Sequence, residues 1–149
     1  MIGSHVARAF LSKTSTSTFD LENENECECL EIFGLKRPRS DLSSLAGYAH
    51  LIKFVVGDIT DSVSMKLIIE SVNPTHIFHY AAQAINSISV DMPYTTMDAN
   101  VQGMINLMDA VKQNSGPKPK ILYAGSSTEY GNTGNYFIKI TYTLNIFNI

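Results

Sequence analysis

The chain has 149 residues, of which 44% are hydrophobic and 17% charged, with a formal net charge of −3. That length fits one domain, able to bury about two thirds of the surface its unfolded chain exposes. The mildly acidic balance gives no reason to expect nucleic acid or an anionic membrane as partner, and no apolar run approaches the roughly 20 residues of a membrane span.

Residues 3–13 predict a helix, with Val6, Ala9, Phe10 and Lys13 close to i, i+3, i+4, i+7 spacing. Arg8, Lys13 and the many hydroxyls nearby also have a transit-peptide-like composition, but the helix explains the stretch better. Residues 14–29 alternate Ser with Thr and then Asn with Glu; so polar a segment cannot offset its ordering entropy and reads as a flexible surface insertion. Cys27 and Cys29 would point to opposite faces of an extended chain, which suits neither a disulfide nor a zinc site. They read as bystanders in a reducing compartment, which places the protein in the cytoplasm.

A strand is expected over residues 30–35, a basic turn over 36–40, a short helix within 41–49 and a second strand over 53–56. That strand runs into Gly57-Asp58-Ile59-Thr60-Asp61, where Asp61 is placed to cap a helix over residues 62–72. Val63, Leu67 and Ile68 mark its expected inner side, and Asn73-Pro74 ends it. Residues 76–81 read as a buried strand, in which His76 and His79 face opposite sides and share no metal. No cluster of His, Cys and carboxylates suggests a metal site.

A loop over 82–97, punctuated by Pro93, leads to the clearest helix, 98–114, with Val101, Met104, Ile105, Met108 and Val111 in helical order. The last strand begins at Ile121 and ends in Ser126, Ser127, Thr128 and Glu129. Strand–helix alternation repeated three times predicts an α/β fold with a doubly wound parallel sheet and right-handed crossovers. Residues 132–149 hold one charge, Lys139, among Asn, Tyr, Phe, Ile, Thr and Leu. They read as a tail foreign to the domain, with an edge strand as the alternative.

In such sheets ligands bind beyond the carboxyl ends of the strands, where the last strand presents its hydroxyls and carboxylate. Gly3 opens the first helix where the final glycine of a phosphate cradle would stand. After the first predicted strand come Lys36, Arg37 and Arg39, with no acid before Asp41. A solvated basic turn is one reading; a site for a ribose 2′-phosphate, hence NADP over NAD, is the functional one.

Five motifs then resemble the extended short-chain dehydrogenase/reductase family, in its nucleotide-sugar epimerase/dehydratase branch: Gly3-Ser4-His5, Gly57-Asp58-Ile59-Thr60-Asp61, Ile77-Phe78-His79-Tyr80-Ala81-Ala82-Gln83, Asn100-Val101-Gln102-Gly103 and Ser126-Ser127-Thr128-Glu129-Tyr130-Gly131. The turn from Gly34 to Ser40 is similar to that of NADP-using GDP-mannose 4,6-dehydratase-like members. The resemblance implies an incomplete Rossmann domain over residues 1–131, lacking the first strand and the C-terminal part. It implies cofactor contacts from Gly3, Arg37, Arg39, Ser40, Asp58, Ile59, Ala81, Ala82, Gln83 and Asn100, with NADP as cofactor and NAD as the alternative. Ser87, Ser89 and Thr128 fall near the nucleotide-sugar substrate. Ser127 takes the place of the hydroxyl that bonds the sugar 4-oxygen, and Glu129 that of the base removing the C5 proton. Dimerisation through helices is common in the family, and helix 98–114 is the candidate face.

The departures from the family pattern have chemical consequences. Thr128 stands where dehydratases usually carry an acid, as in epimerase and reductase relatives. No tyrosine in the chain has lysine four residues on, so the family's acid–base pair is absent from it.

Overall fold

The computed structural model describes residues 2–16 and 30–126. The strands form two separate two-stranded parallel sheets, so the continuous doubly wound sheet expected from the sequence is present as two pairs. Strand β1 (Ile32–Lys36) lies beside β2 (Ile52–Val56), in register from Ile32 opposite Ile52 to Lys36 opposite Val56. Strand β3 (His76–His79) lies beside β4 (Lys120–Tyr123), with His76 opposite Lys120 and His79 opposite Tyr123. Because the strands within each pair are parallel, their carboxyl ends leave on the same edge.

Helix α1 (Ile2–Thr16) precedes β1, and α2 (Ser62–Val72) joins β2 to β3. The capping expectation at α2 holds: Asp61 Oδ1 accepts from Val63 N at 3.0 Å and from Ser64 N at 3.2 Å. At the other end Asn73 turns left-handed, φ 46°, and its N–H closes on Ile69 O. The expected helix within 41–49 is instead two 3₁₀ turns, Ser43–Leu45 and Ala49–Leu51.

Two further expectations are corrected between β3 and β4. The loop over 82–97 holds two short helices, α3 (Asn86–Asp91) and α4 (Pro93–Met97). Proline, read as punctuation, stands at the start of α4, where its missing N–H costs nothing. The long helix opens with a wide π turn, Asp98–Gln102, before α5 (Gly103–Gln113) continues in regular α geometry.

Helices cover both faces of the layer. On β3, Ile77 packs with the core formed by α2 and α5, whereas the next residue, Phe78, meets Phe10 of α1 with ring centroids 5.2 Å apart. Successive strand residues point to opposite faces, so α1 lies on one side and the α2–α5 pair on the other. The core beneath α2 and α5 joins Ile59, Met65, Ile69, Leu107, Ala110, Val111 and Ile121. A smaller cluster under α1 joins Leu11, Leu45 and Ile52.

The inner faces of α2 and α5 match the expected ones in part: Val111 is fully buried, Met104 and Met108 pack against the core and Ile68 is half-buried, but the faces are turned from the expected centre. Met65 and Ile69 are buried, while Val63 and Leu67 are 66% and 60% exposed. On α5 the buried residues are Gly103, Asn106, Leu107, Ala110 and Val111; Val101 and Ile105 lie outside. Both helices are apolar on two sides, so hydrophobic spacing did not discriminate between them. Contact geometry does: a Cβ on Gly103 would lie 2.8 Å from Ile59 Cγ2, so glycine allows α5 its close approach to the end of β2.

Candidate functional site

Four turns leave the carboxyl edge of the sheet, and the start of α1 joins them. A Cβ on Gly3 would lie 4.0 Å from Tyr80 Cδ2, which places the helix N-terminus against the end of β3. Ser44 Oγ donates to Ser4 Oγ at 3.1 Å, tying the same end to the turn after β1. The positive end of a helix dipole at this position favours an anion.

The basic turn after β1 is tight, with Ser40 N donating to Arg37 O at 3.2 Å and Arg39 left-handed at φ 61°. Arg37 and Arg39 are exposed. Asp41, the nearest acid, is engaged elsewhere: it accepts from Ser43 N and Ser43 Oγ, each at 2.8 Å. Those bonds hold its carboxyl below the ordinary value. Among the described residues the ion pair is Lys53 with Glu31, so both arginines keep their guanidinium groups without a carboxylate there.

The turn after β2 is fixed from within. Asp58 Oδ1 accepts from Thr60 N at 3.1 Å and Thr60 Oγ1 at 3.0 Å, an Asx turn, and Asp61 N donates to Asp58 O. Ile59 is buried in the core at 8% exposure, which leaves its main chain, not its side chain, available at the edge.

The turn after β3 is fixed from outside. Gln83 N donates to Asn100 Oδ1 at 2.7 Å, and Asn100 Nδ2 donates to Gln83 O at 3.0 Å. Both ends of the Asn100 amide are therefore spent on one residue's main chain. Ala81 and Ala82 stay exposed beside that clamp.

On α3, Ser87 is exposed, whereas Ser89 turns its hydroxyl proton to Asn86 O at 2.6 Å. Ser127, Thr128 and Glu129 lie outside the described residues, as do the tail at 132–149 and residues 17–29 of the expected insertion 14–29, whose first three residues instead continue α1. His79 is buried and stacks on Tyr123, with centroids 5.7 Å apart and planes at 15°. Burial lowers its pKa, so the ring is neutral near pH 7. Among the described residues no group of three or more His, Cys, Asp or Glu could hold a metal ion. Two shallow hollows lie on the outer side of α2 and α5, around Met104–Met108 and around Val63 and Lys66; neither contains a candidate residue.

Sequence reasoning missed Asn106. It is 5% exposed, and its Nδ2 donates to Ile59 O and Thr60 O, both at 3.0 Å. An asparagine inside a helix, where its propensity is poor, four residues before Ala110 on the buried face, is the signal that could have found it.

The model of the family described as GDP-mannose 4,6 dehydratase matches residues 1–145. The chain belongs to that family. Within the wider group of nucleotide-sugar epimerases and dehydratases, it is 36% identical over 97 residues to UDP-glucuronate 4-epimerase 3 of Arabidopsis thaliana, covering 65% of this chain and 21% of that protein. It is 34% identical over 87 residues to UDP-glucose 4-epimerase of Mycoplasma genitalium, covering 58% of this chain and 25% of that one. The chain thus spans about a fifth to a quarter of the length of these relatives. Among solved structures, a Burkholderia cenocepacia protein aligns over 98% of this chain and 41% of its own, with a TM-score of 0.66 and 20% identity. The NAD complex of Thermus thermophilus UDP-glucose 4-epimerase aligns over 76% of this chain and 31% of its own, with a TM-score of 0.58 and 24% identity. These likenesses show that the fold is of the Rossmann type. No helix among the described residues is long and apolar enough to cross a membrane.

Proposed function

We propose that this chain carries the dinucleotide-binding part of an NADP-dependent nucleotide-sugar 4,6-dehydratase of the GDP-mannose type. One observation carries the reading: the glycine-led start of α1 lies against the end of β3, and the Asp58–Thr60 turn and the Gln83 turn are both held by side chains of residues 100–106. Those residues fit a dinucleotide. The helix N-terminus suits its phosphates, the main chain at Ala81, Ala82 and Gln83 suits the phosphates and the nicotinamide ribose, and the Asp58–Ile59 turn suits its adenine end. Arg37, Arg39 and Ser40 supply a planar cationic turn for a 2′-phosphate, which favours NADP; the NAD in the structurally similar epimerase keeps NAD as the alternative.

When bound, the nicotinamide accepts a hydride and returns it. The chain's own residues then have three tasks: to orient the sugar, to hold its 4-oxygen and to take a proton from C5. We assign the second to Ser127, the third to Glu129, and the first to Ser87, Ser89 and Thr128. A carboxylate serves as base there if its surroundings raise its pKa toward the working pH.

An epimerase is the second reading, favoured by the relatives named above and by Thr128 standing where dehydratases usually carry an acid. Glu129→Gln in a full-length family member separates the two: exchange of the C5 proton with solvent is lost in a dehydratase and retained where another base acts. The 149-residue chain itself lacks the Tyr-x-x-x-Lys pair. It is expected to form no 4-keto-6-deoxy sugar from GDP-mannose and NADP and to bind NADP more weakly than micromolar by calorimetry. A homodimer belongs to the same proposal: Tyr94, Met97, Val101 and Ile105 form an exposed apolar stripe along α4 and the start of α5. Sedimentation of the wild type against Ile105→Glu tests it.

A further inference from the structure

Residues 100 to 106 reach both turns that border the proposed cofactor site. Asn100, in the π turn, grips the main chain of Gln83 after β3. Asn106, on the first full turn of α5, grips the carbonyls of Ile59 and Thr60 after β2. Gln102 steadies Asn106, donating from Nε2 to its Oδ1 at 2.9 Å. Asn106 therefore has both ends of its amide committed, and its donor end cannot flip away from the β2 turn without losing the Gln102 bond.

Thr60 is held from two sides. Its N–H and hydroxyl go to Asp58 Oδ1, and its carbonyl goes to Asn106 Nδ2. The Asx turn alone shapes residues 58–60 but does not fix where they sit relative to the sheet edge. Asn106 supplies that fix, because it draws two consecutive carbonyls toward α5. Gly103, one turn earlier, gives the approach, since any Cβ there would collide with Ile59.

We infer that Asn106 is a positioning residue for the adenine end of the dinucleotide, acting through the Asp58–Thr60 turn without touching the ligand. Asn100 has the parallel task for the Gln83 turn and hence for the nicotinamide end. The inference rests on the dinucleotide reading above and adds a division of labour along one helix.

The test uses the full 149-residue chain, labelled with ¹⁵N and titrated separately with adenosine 5′-monophosphate and nicotinamide mononucleotide. In the wild type, the adenosine nucleotide is expected to shift the amides of Asp58, Ile59 and Thr60. Asn106→Leu is expected to weaken its binding about tenfold, since two buried carbonyls lose their donor. Binding of nicotinamide mononucleotide should stay within about twofold, well under the tenfold that 1.4 kcal/mol represents. Gln102→Leu is an exposed change that spares the core and frees the Asn106 amide. It is expected to give the same selective loss at about threefold, in keeping with one hydrogen bond.

Equal weakening of both nucleotides, or unchanged adenosine affinity in both variants, overturns the positioning role. If wild type binds neither nucleotide while its amide spectrum is that of a folded protein, the dinucleotide reading itself fails, and the inference with it.

Discussion

The α2–α5 side of the sheet and the α1 side are held by different kinds of contact. Under α2 and α5, seven buried apolar residues drawn from four segments of chain form one cluster, and three asparagines on or beside α5 add directed bonds to the turns around it. Under α1, three buried residues form the cluster, ringed by half-buried ones. Its polar reinforcement is peripheral: Arg8 lies over the Tyr48 ring at 5.6 Å, and Ser44 Oγ donates to Ser4 Oγ on the exposed surface. Apolar contacts give burial without direction; asparagine amides fix where a turn sits. The region facing the adenine and nicotinamide ends in the proposal is the region with the directed bonds.

The comparison breaks most readily through large-to-small changes in the two clusters. Leu107→Ala is expected to cost about 3–4 kcal/mol and Leu45→Ala about 2 kcal/mol, read from urea unfolding of the chain. Equal losses would show that the α1 side is packed as firmly as the other. Next in size, Gly103→Ala forces a methyl against Ile59 and is expected to cost about 1–3 kcal/mol. A neutral result there would mean that α5 moves outward freely, and that its close approach is not fixed.

Those two regions also show what could be read from the sequence. The strand positions, the Asp61 cap and the Asn73 stop were legible because each depends on local chemistry, but the burial expected of the strand at 76–81 was not: in β3 His76 and Phe78 are exposed and His79 alone is buried. The inner faces of α2 and α5 were legible only in part, because Val63, Leu67, Val101 and Ile105 make a second apolar stripe that tertiary contacts leave outside. Helices α3 and α4 were too short to show a period. At the site, the glycine, the basic turn and Asn100 were readable as motifs. That Asn100 spends its amide on Gln83, and that Asn106 does the same for Ile59 and Thr60, depends on long-range register that spacing does not encode.

Smaller effects sharpen the contrast. Removing the α2 cap with Asp61→Ala is expected to cost about 1 kcal/mol, from two lost bonds to otherwise unpaired N–H groups. The α2–α5 side should also be the more sensitive to acid. His79 is buried and its pKa lowered, so the unfolded chain takes up a proton more readily than the folded one. The stabilising difference is complete above the unfolded value of about 6.5 and is lost as pH falls through the lower folded value. His79→Phe keeps a ring on Tyr123 and is expected to flatten the acid side of the stability–pH curve below about pH 6.5. An unchanged curve would assign acid sensitivity to other groups. The smallest effect is expected at Lys53→Ala, about 0.5 kcal/mol or less, since the pair it breaks is solvated.

The π turn at Asp98–Gln102 carries a consequence for how this stretch tolerates insertion and deletion. A π turn is an α-helix with one extra residue absorbed locally. Deleting one residue within it would restore an unbroken α-helix and leave α5 intact. Everything N-terminal to the deletion would then rotate by about 100° around the helix axis. Asn100 would leave Gln83 while Asn106 kept its hold on Ile59 and Thr60. The chain length between these two asparagines is thus under geometric constraint even where the identities of the residues between them are not.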